Sequence, residues 1–318
     1  MLWVLIAVLV LLALLTAAGL TLLDYCCGRR DRGDPWSEES IHKRGFDDLK
    51  EDILSGKAWL EGKAREEVSI TSADGLRLKG LFVPNPEAKG TLLLFHGWRS
   101  TWKTDFIISM PYYYSLGLNL LAVDQRSQNG SEGKYITYGV RERDDLALWV
   151  DWAARRLGKE HPLFLGGLSM GASTVLMAAD LPFAANVRGI IADCGFTSPY
   201  DIIRSVAARG ADRPMKLPMA LLDIFTRRIA GFGLREHSTV EALKRTKLPV
   251  LLVHGLADDF VPAEMSRENY AACASEKRMV LVEGAGHGMS YVVEPERVKG
   301  EIGDFVRRHL PAEVPQNP

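Results

Sequence analysis

A serine, a histidine and a small set of aspartates stand where turns of this chain could bring them together. Gly167-Leu168-Ser169-Met170-Gly171 follows a short apolar run, Pro162-Leu163-Phe164-Leu165-Gly166. It opens into Ala172-Ser173-Thr174-Val175-Leu176-Met177-Ala178-Ala179. That pattern predicts a strand, a sharp turn and a helix, with Ser169 at the apex and its hydroxyl clear of the sheet at a helix N-terminus. Glycines two residues either side are expected because side chains there would collide with neighbouring backbone. A serine hydroxyl is a poor nucleophile until a base takes its proton and a third group orients that base. The pentapeptide alone is weak, since at ~7% glycine it arises by chance in roughly one chain in ten of this length. The rest of the chain must supply the base and the acid.

Both have candidates. The run Val250-Leu251-Leu252-Val253 leads into His254-Gly255-Leu256-Ala257-Asp258-Asp259-Phe260-Val261-Pro262, which places an acid just after a buried strand. Asp258 and Asp259 compete for that place, and Asp193 at the end of an earlier strand is a further acid position. Met279-Val280-Leu281-Val282 leads into Glu283-Gly284-Ala285-Gly286-His287-Gly288, which places a histidine after the next strand. His287 is the one histidine after Asp258 at a strand end, because His309 falls in the terminal helix. His96 and His254 are each followed by glycine and suit tight turns; His42, His161 and His237 lack a partnering context. A developing oxyanion needs donors. The backbone N–H of Met170 is one candidate, and that of Trp98, in the loop His96-Gly97-Trp98-Arg99, is the other.

The elements that must hold these residues are readable as alternation. Val68–Thr71 and Leu76–Val83 alternate around Asp74-Gly75, an antiparallel hairpin. Near-continuous apolar runs follow at Thr91–Phe95, Asn119–Val123, Leu163–Gly166, Gly189–Ala192, Val250–Val253 and Met279–Val282, as buried parallel strands require. Helical patterns lie between them at Asp144–Leu157, Ser169–Leu181, Glu264–Ala274 and Pro295–Leu310. The expectation is an α/β domain over residues 67–310, a mostly parallel sheet of about eight strands flanked by helices. In such a sheet the loops carrying Ser169, Asp258 and His287 face one crevice. An insertion at about 197–247, carrying Pro214, Met215, Leu217, Pro218, Met219, Leu222, Ile224 and Phe225, reads as short helices. It is either extra packing or a lid lending an apolar pocket.

Leu2–Leu23 holds no charged residue. At about 1.5 Å per residue it spans ~33 Å as a helix, enough for a hydrocarbon core of ~30 Å. A cleaved signal peptide fits less well: no Lys or Arg precedes the run, it is too long, and no A-x-A-like site ends it. Residues 1–23 therefore read as a retained single-pass transmembrane anchor. Arg29, Arg30 and Arg32 follow it, a bias that puts the domain on the cytoplasmic face. Residues 24–66 read as a linker and an amphipathic helix with Leu49, Ile53, Leu54, Trp59 and Leu60, expected to pack on the domain, and 311–318 as a tail.

Composition excludes several classes. The 318 residues are 47% hydrophobic and 25% charged with a net charge of −1, which gives no reason to expect nucleic acid. Four cysteines, Cys26, Cys27, Cys194 and Cys273, are too few for a disulfide framework and suit a reducing compartment. No metal-ligand spacing occurs, and Gly284–Gly288 lacks the spacing of a dinucleotide fingerprint. No metal and no cofactor is expected.

With these parts in hand the chain resembles the α/β-hydrolase superfamily. More narrowly, it is similar to bacterial membrane-anchored serine hydrolases near the serine aminopeptidase and alpha/beta-hydrolase-domain groups. The resemblance runs from about Glu66 to Leu310 and rests on His96-Gly97, Asp124-Gln125-Arg126, Ser131-Glu132-Gly133, Gly167–Gly171, His254–Pro262 and Gly284–His287. Ser127-Gln128-Asn129-Gly130 departs from it, where relatives often carry Gly-His-Gly. The chain order Ser169, Asp258, His287 is the family's, and its pattern selects Asp258 as the acid. The resemblance implies hydrolysis of a carboxyl ester, thioester or peptide bond of a small acyl or peptidyl substrate without a cofactor. An ester of lipid origin suits the anchor; a peptidase and a non-catalytic tethered binding protein are the other expectations.

Overall fold

The eight strands owe their layering to which faces must be hidden. In the computed structural model, which describes residues 1–30, 33–209 and 216–311, they form one sheet in the order β1-β2-β4-β3-β5-β6-β7-β8. Arg32, Pro214, Met215 and the tail from residue 312 lie outside the described residues. The strands are β1 (Glu66–Thr71), β2 (Arg77–Val83), β3 (Gly90–Phe95), β4 (Leu118–Val123), β5 (Leu163–Leu168), β6 (Val187–Asp193), β7 (Val250–Gly255) and β8 (Lys277–Val282). β1 and β2 pair antiparallel, β2 joins β4 antiparallel, and all later pairings are parallel. This is the α/β-hydrolase architecture expected from the sequence.

The central strands are buried at every residue of β3, β4 and β7, whereas edge strand β1 alternates. Successive side chains point to opposite faces, so Leu92 and Leu94 join one core cluster while Leu93 and Phe95 join the other. Helices cover both clusters. Helix Glu142–Leu157 buries Leu146, Trp149, Val150 and Ala153, and helix Pro295–His309 buries Val298, Ile302, Phe305 and Val306. Each set recurs at the spacing of one helical face.

The sequence motifs outside the candidate site hold the strand ends. His96 Nε2 lies 3.1 Å from the Gln125 backbone nitrogen, tying the loops after β3 and β4. Arg126 donates to both oxygens of buried Asp145 at 2.6 and 2.7 Å and reaches Asp74 at 3.1 Å. Ser131 takes the Lys79 N–H at 2.8 Å.

The N-terminal helix extends further than composition suggests. Expected to end at Leu23, it runs from Leu2 to Cys27, because its last carbonyls find donors on the domain. Trp98 Nε1 and Tyr138 Oη donate to the Cys26 carbonyl at 3.1 and 2.8 Å, and Arg99 donates to the Tyr25 carbonyl at 2.8 Å. Contacts with the rest of the chain recur along the described part of residues 24–66. Gly28 bridges Tyr135, Trp36 donates to the Lys103 carbonyl at 3.0 Å, and helix Lys50–Glu61 buries Ile53 and Leu60. The helix after Ser169 spans only Met170–Met177. Between β6 and β7 the insertion contains helices Pro199–Ala208, Lys216–Phe225 and Thr239–Leu243 and the π-turn Thr226–Ala230.

Arg126 is the most consequential of the structural ion pairs, with both its side chain and that of Asp145 over nine-tenths buried. Removing one partner strands the other charge. Arg126→Ala should destabilise the protein by about 3–5 kcal/mol, and Arg126→Met with Asp145→Leu should recover most of that loss. Urea unfolding measures both; a single-variant loss under ~1 kcal/mol would contradict the assignment.

Candidate active site

Strand order places Ser169. The chain moves from β3 outward to β4, then returns to the other side of β3 with β5. The crevice beyond the carboxyl ends of β3 and β5 is thus the point where the winding direction reverses, the usual ligand position in an open α/β sheet. Ser169 follows β5 there with φ 56° and ψ −115°, a conformation costing about 1–3 kcal/mol for a residue with a side chain. The turn is possible because helix Met170–Met177 leaves β5 at contact distance. A Cβ on Gly171 would lie 1.8 Å from the Phe95 carbonyl oxygen, so no side chain fits.

The acid and base arrive on neighbouring loops. Leu256 and Ala257 donate to the carbonyls of Val282 and Ala285 at 2.8 and 3.0 Å, zipping the loop after β7 to the loop after β8. That contact needs glycine at 255, where a Cβ would meet the Ala285 carbonyl at 2.2 Å. The result is a continuous line: His287 Nδ1 lies 2.7 Å from Asp258 Oδ2, and His287 Nε2 lies 2.9 Å from Ser169 Oγ. Asp259 is exposed and takes no part. Asp193 accepts from Ser290 Oγ at 3.4 Å and its backbone carbonyl takes the Ser169 N–H, but no hydrogen bond joins it to His287.

Asp258 is fully buried at its side chain. Burial works to raise its pKa, yet hydrogen bonds from His254 and His287 and the Val261 N–H outweigh this and hold it well below the carboxylate range. An ionised Asp258 only accepts, so Nδ1 of His287 carries the proton and Nε2 presents its lone pair to Ser169. His254, a turn former by its sequence context alone, is a further member of the site. It is completely buried, with Nε2 3.0 Å from the Val261 carbonyl and 3.3 Å from Asp258 Oδ2, and Nδ1 2.6 Å from Ser266 Oγ. A carbonyl cannot donate, so the His254 Nε2 is protonated and supports Asp258 from behind. The signal was the four-residue spacing from His254 to Asp258.

The loop after β3 completes the geometry. Asp105 takes the Gly97 N–H at 2.7 Å and the Ser100 hydroxyl at 2.6 Å, fixing the loop. Among the described residues, no hydrogen-bond acceptor takes the N–H of Trp98 or of Met170. A cavity of about 530 Å³ opens at Ser169, His287 and Phe260 and continues over Leu94, Ile191 and Val253 to helix Pro295–His309. The Phe260 ring stands edge-on to His287, with centroids 5.0 Å apart.

Cys194, Asp258 and His287 offer donor atoms within 4.8 Å of one another. They make a poor metal site. The His287 Nδ1 is protonated, and burial pushes the Cys194 thiol far above its usual value, whereas metal ligands must be deprotonated.

Residues 92–301 match the family model described as "Alpha/beta hydrolase family". The chain is 27% identical over 271 residues to the uncharacterised protein YqkD of Bacillus subtilis, covering 85% of this chain and 87% of that one. Among solved structures it is similar to the Pyrococcus furiosus esterase Pf2001, with a TM-score of 0.63 and 24% identity, covering 78% of this chain and 94% of that one. It also resembles the Pyrococcus horikoshii acylaminoacyl peptidase, with a TM-score of 0.61 and 16% identity, covering 83% of this chain and 45% of that one. At these identities the structural likenesses speak to the fold.

Asp193 offers a pH test. Burial pushes its carboxyl up to about 6, despite nearby His254 and His287. A carboxyl raised on folding binds more protons in the folded chain, so its stability contribution is present below about pH 4 and lost as pH rises through 6. Asp193→Asn should therefore gain about 2–3 kcal/mol at pH 8 relative to its effect at pH 4. Denaturant titrations at the two pH values decide it, and an effect independent of pH would contradict the shift.

Proposed function

The chain belongs to the alpha/beta hydrolase family, and on that footing we propose that it is a serine hydrolase cleaving a carboxyl ester or thioester through Ser169, His287 and Asp258. The observation that carries this reading is the line Asp258–His287–Ser169, with the N–H groups of Met170 and Trp98 finding no acceptor among the described residues. Ser169 Oγ attacks the substrate carbonyl carbon while its proton passes to His287 Nε2. Asp258 stabilises the imidazolium that forms and keeps the ring in the required tautomer. The N–H groups of Met170 and Trp98 receive the oxyanion, where one donor is worth about 3–4 kcal/mol of transition-state stabilisation. His287 then protonates the leaving alcohol or thiol. Water, deprotonated by the same imidazole, releases the acyl group from Ser169. The apolar walls of the cavity favour an acyl chain as the group held during that sequence.

Helix Leu2–Cys27 is long and apolar enough to cross a membrane, with a mean hydropathy of 2.7. The reading of it as a retained anchor gains support from Leu23 and Cys27, which are buried in the same apolar cluster as Met170. The arginines beyond it favour the cytoplasmic face for the domain.

Four outcomes are expected. A fluorophosphonate probe labels the protein and fails to label Ser169→Ala; equal labelling of both sinks the nucleophile assignment. Asp258→Asn lowers kcat on p-nitrophenyl butyrate by about 10⁴-fold while Asp259→Asn leaves it within a factor of about two. Esters are turned over in preference to aminoacyl anilides, and the reverse preference would favour a peptidase. For topology, protease added outside intact cells should leave the domain uncut.

A further inference from the structure

The insertion helix Lys216–Phe225 has an unusual composition for a surface element. Its sequence, Lys-Leu-Pro-Met-Ala-Leu-Leu-Asp-Ile-Phe, is apolar around its whole circumference apart from Lys216 and Asp223. Such a helix belongs in a protein core or in lipid. Met219 and Leu222 do face the core. Leu217 and Ile224, seven residues apart on another face, are 69% and 55% exposed, and Ile229 just beyond is 44% exposed. The one acid does not make the helix polar, since Asp223 accepts from the Leu234 N–H at 2.7 Å and from Arg227 Nε at 2.9 Å.

The position of this helix says what covers it. It packs directly on helix Leu2–Cys27, with Phe225 set against Gly19 so closely that a Cβ there would meet the ring at 2.3 Å. From Leu2 to Gly19 a helix rises ~27 Å, and a hydrocarbon core is ~30 Å thick. If Leu2–Cys27 crosses a bilayer, the Gly19–Phe225 contact falls at the inner edge of the hydrocarbon. The exposed apolar face of the insertion then has lipid as its neighbour, and Arg227 and Arg228 at its end lie at headgroup level.

We propose that helix Lys216–Phe225 is an interfacial helix embedded beside the anchor, and that the cavity at Ser169 takes its ester from that leaflet, which makes the substrate class an acyl lipid. The proposal rests on the ester-hydrolase reading for its chemistry and on the anchor reading for its geometry. A second contact ties the two. Trp98 and Phe260 line the cavity and also pack in the apolar cluster that contains Leu23 and Cys27. One wall of the cavity therefore shares its packing with the domain-facing end of the anchor.

The experiment uses the full chain in phosphatidylcholine–phosphatidylglycerol nanodiscs. Leu217→Cys and Ile224→Cys, labelled with an environment-sensitive fluorophore, should be quenched by lipids spin-labelled near the headgroup. Glu160→Cys, exposed at the far end of the sheet, should not be quenched. In parallel, Leu217→Glu with Ile224→Glu should slow hydrolysis of a fluorogenic diacylglycerol in the bilayer by at least about tenfold, because inserting charge into the interface costs more than 1.4 kcal/mol. Hydrolysis of soluble p-nitrophenyl acetate should stay within about twofold, as these positions lie outside the reacting groups. Absence of quenching at 217 and 224 overturns the interfacial placement. An equal effect on both esters overturns delivery from the leaflet. Quenching without hydrolysis of either ester by the unsubstituted chain overturns the ester reading and leaves the placement standing.

Discussion

Everything at the site depends on a strained backbone held in place by a close contact. Ser169 sits at positive φ because β5 must turn at once into helix Met170–Met177. The helix can start there only by pressing Gly171 against the Phe95 carbonyl of β3. β3 and β5 are neighbours because the sheet reverses its winding between them. The same reversal opens the crevice in which the hydroxyl stands. A local cost of about 1–3 kcal/mol is sustained by a sheet whose central strands are buried on both faces.

A second constraint is the burial of one negative charge. Asp258 has no water to solvate it, so protein donors must do so: His287, His254 and the N–H groups of Phe260 and Val261. Those partners fix the loop after β7, and the backbone zipper through Gly255 fixes the loop after β8 to it. Orientation of His287 toward Ser169 therefore follows from solvating Asp258. Asp193, also taken out of water but without such a set of donors, has its carboxyl pushed up to about 6 instead. Two aspartates at adjacent strand ends thus acquire different protonation behaviour from their surroundings alone.

Much of this was legible in the sequence because it depends on local pattern. Apolar runs mark strands buried on both faces, the glycine spacing marks the elbow, and the ordered strand-end loops bring Ser169, Asp258 and His287 to one crevice. Distance information was not legible. Asp258 and Asp259 are indistinguishable by pattern, since their difference is which side of a turn faces His287. His254 reads as a turn residue because its contacts with Val261 and Ser266 are made across a loop. The helix past Leu23 could not be anticipated either: Asp24 ends the uncharged run, and only carbonyl acceptors for Trp98, Arg99 and Tyr138 carry the helix on to Cys27.

That last point changes the meaning of the N-terminal helix. An anchor that merely tethers a domain needs a flexible connection and no particular contact with the site. Here the Cys26 carbonyl accepts from the indole of Trp98, a residue that also lines the cavity at Ser169. Met170, the other candidate donor, packs in the cluster containing Leu23 and Cys27. Arg29, just beyond the helix, donates to the Ser131 carbonyl at 2.6 Å and to the carbonyl of Asn129, within the loop of residues 127–130. The side chains of Trp98 and Met170 are thus packed against the end of the helix, so the position of that apolar helix and the shape of the candidate site are set by one group of contacts.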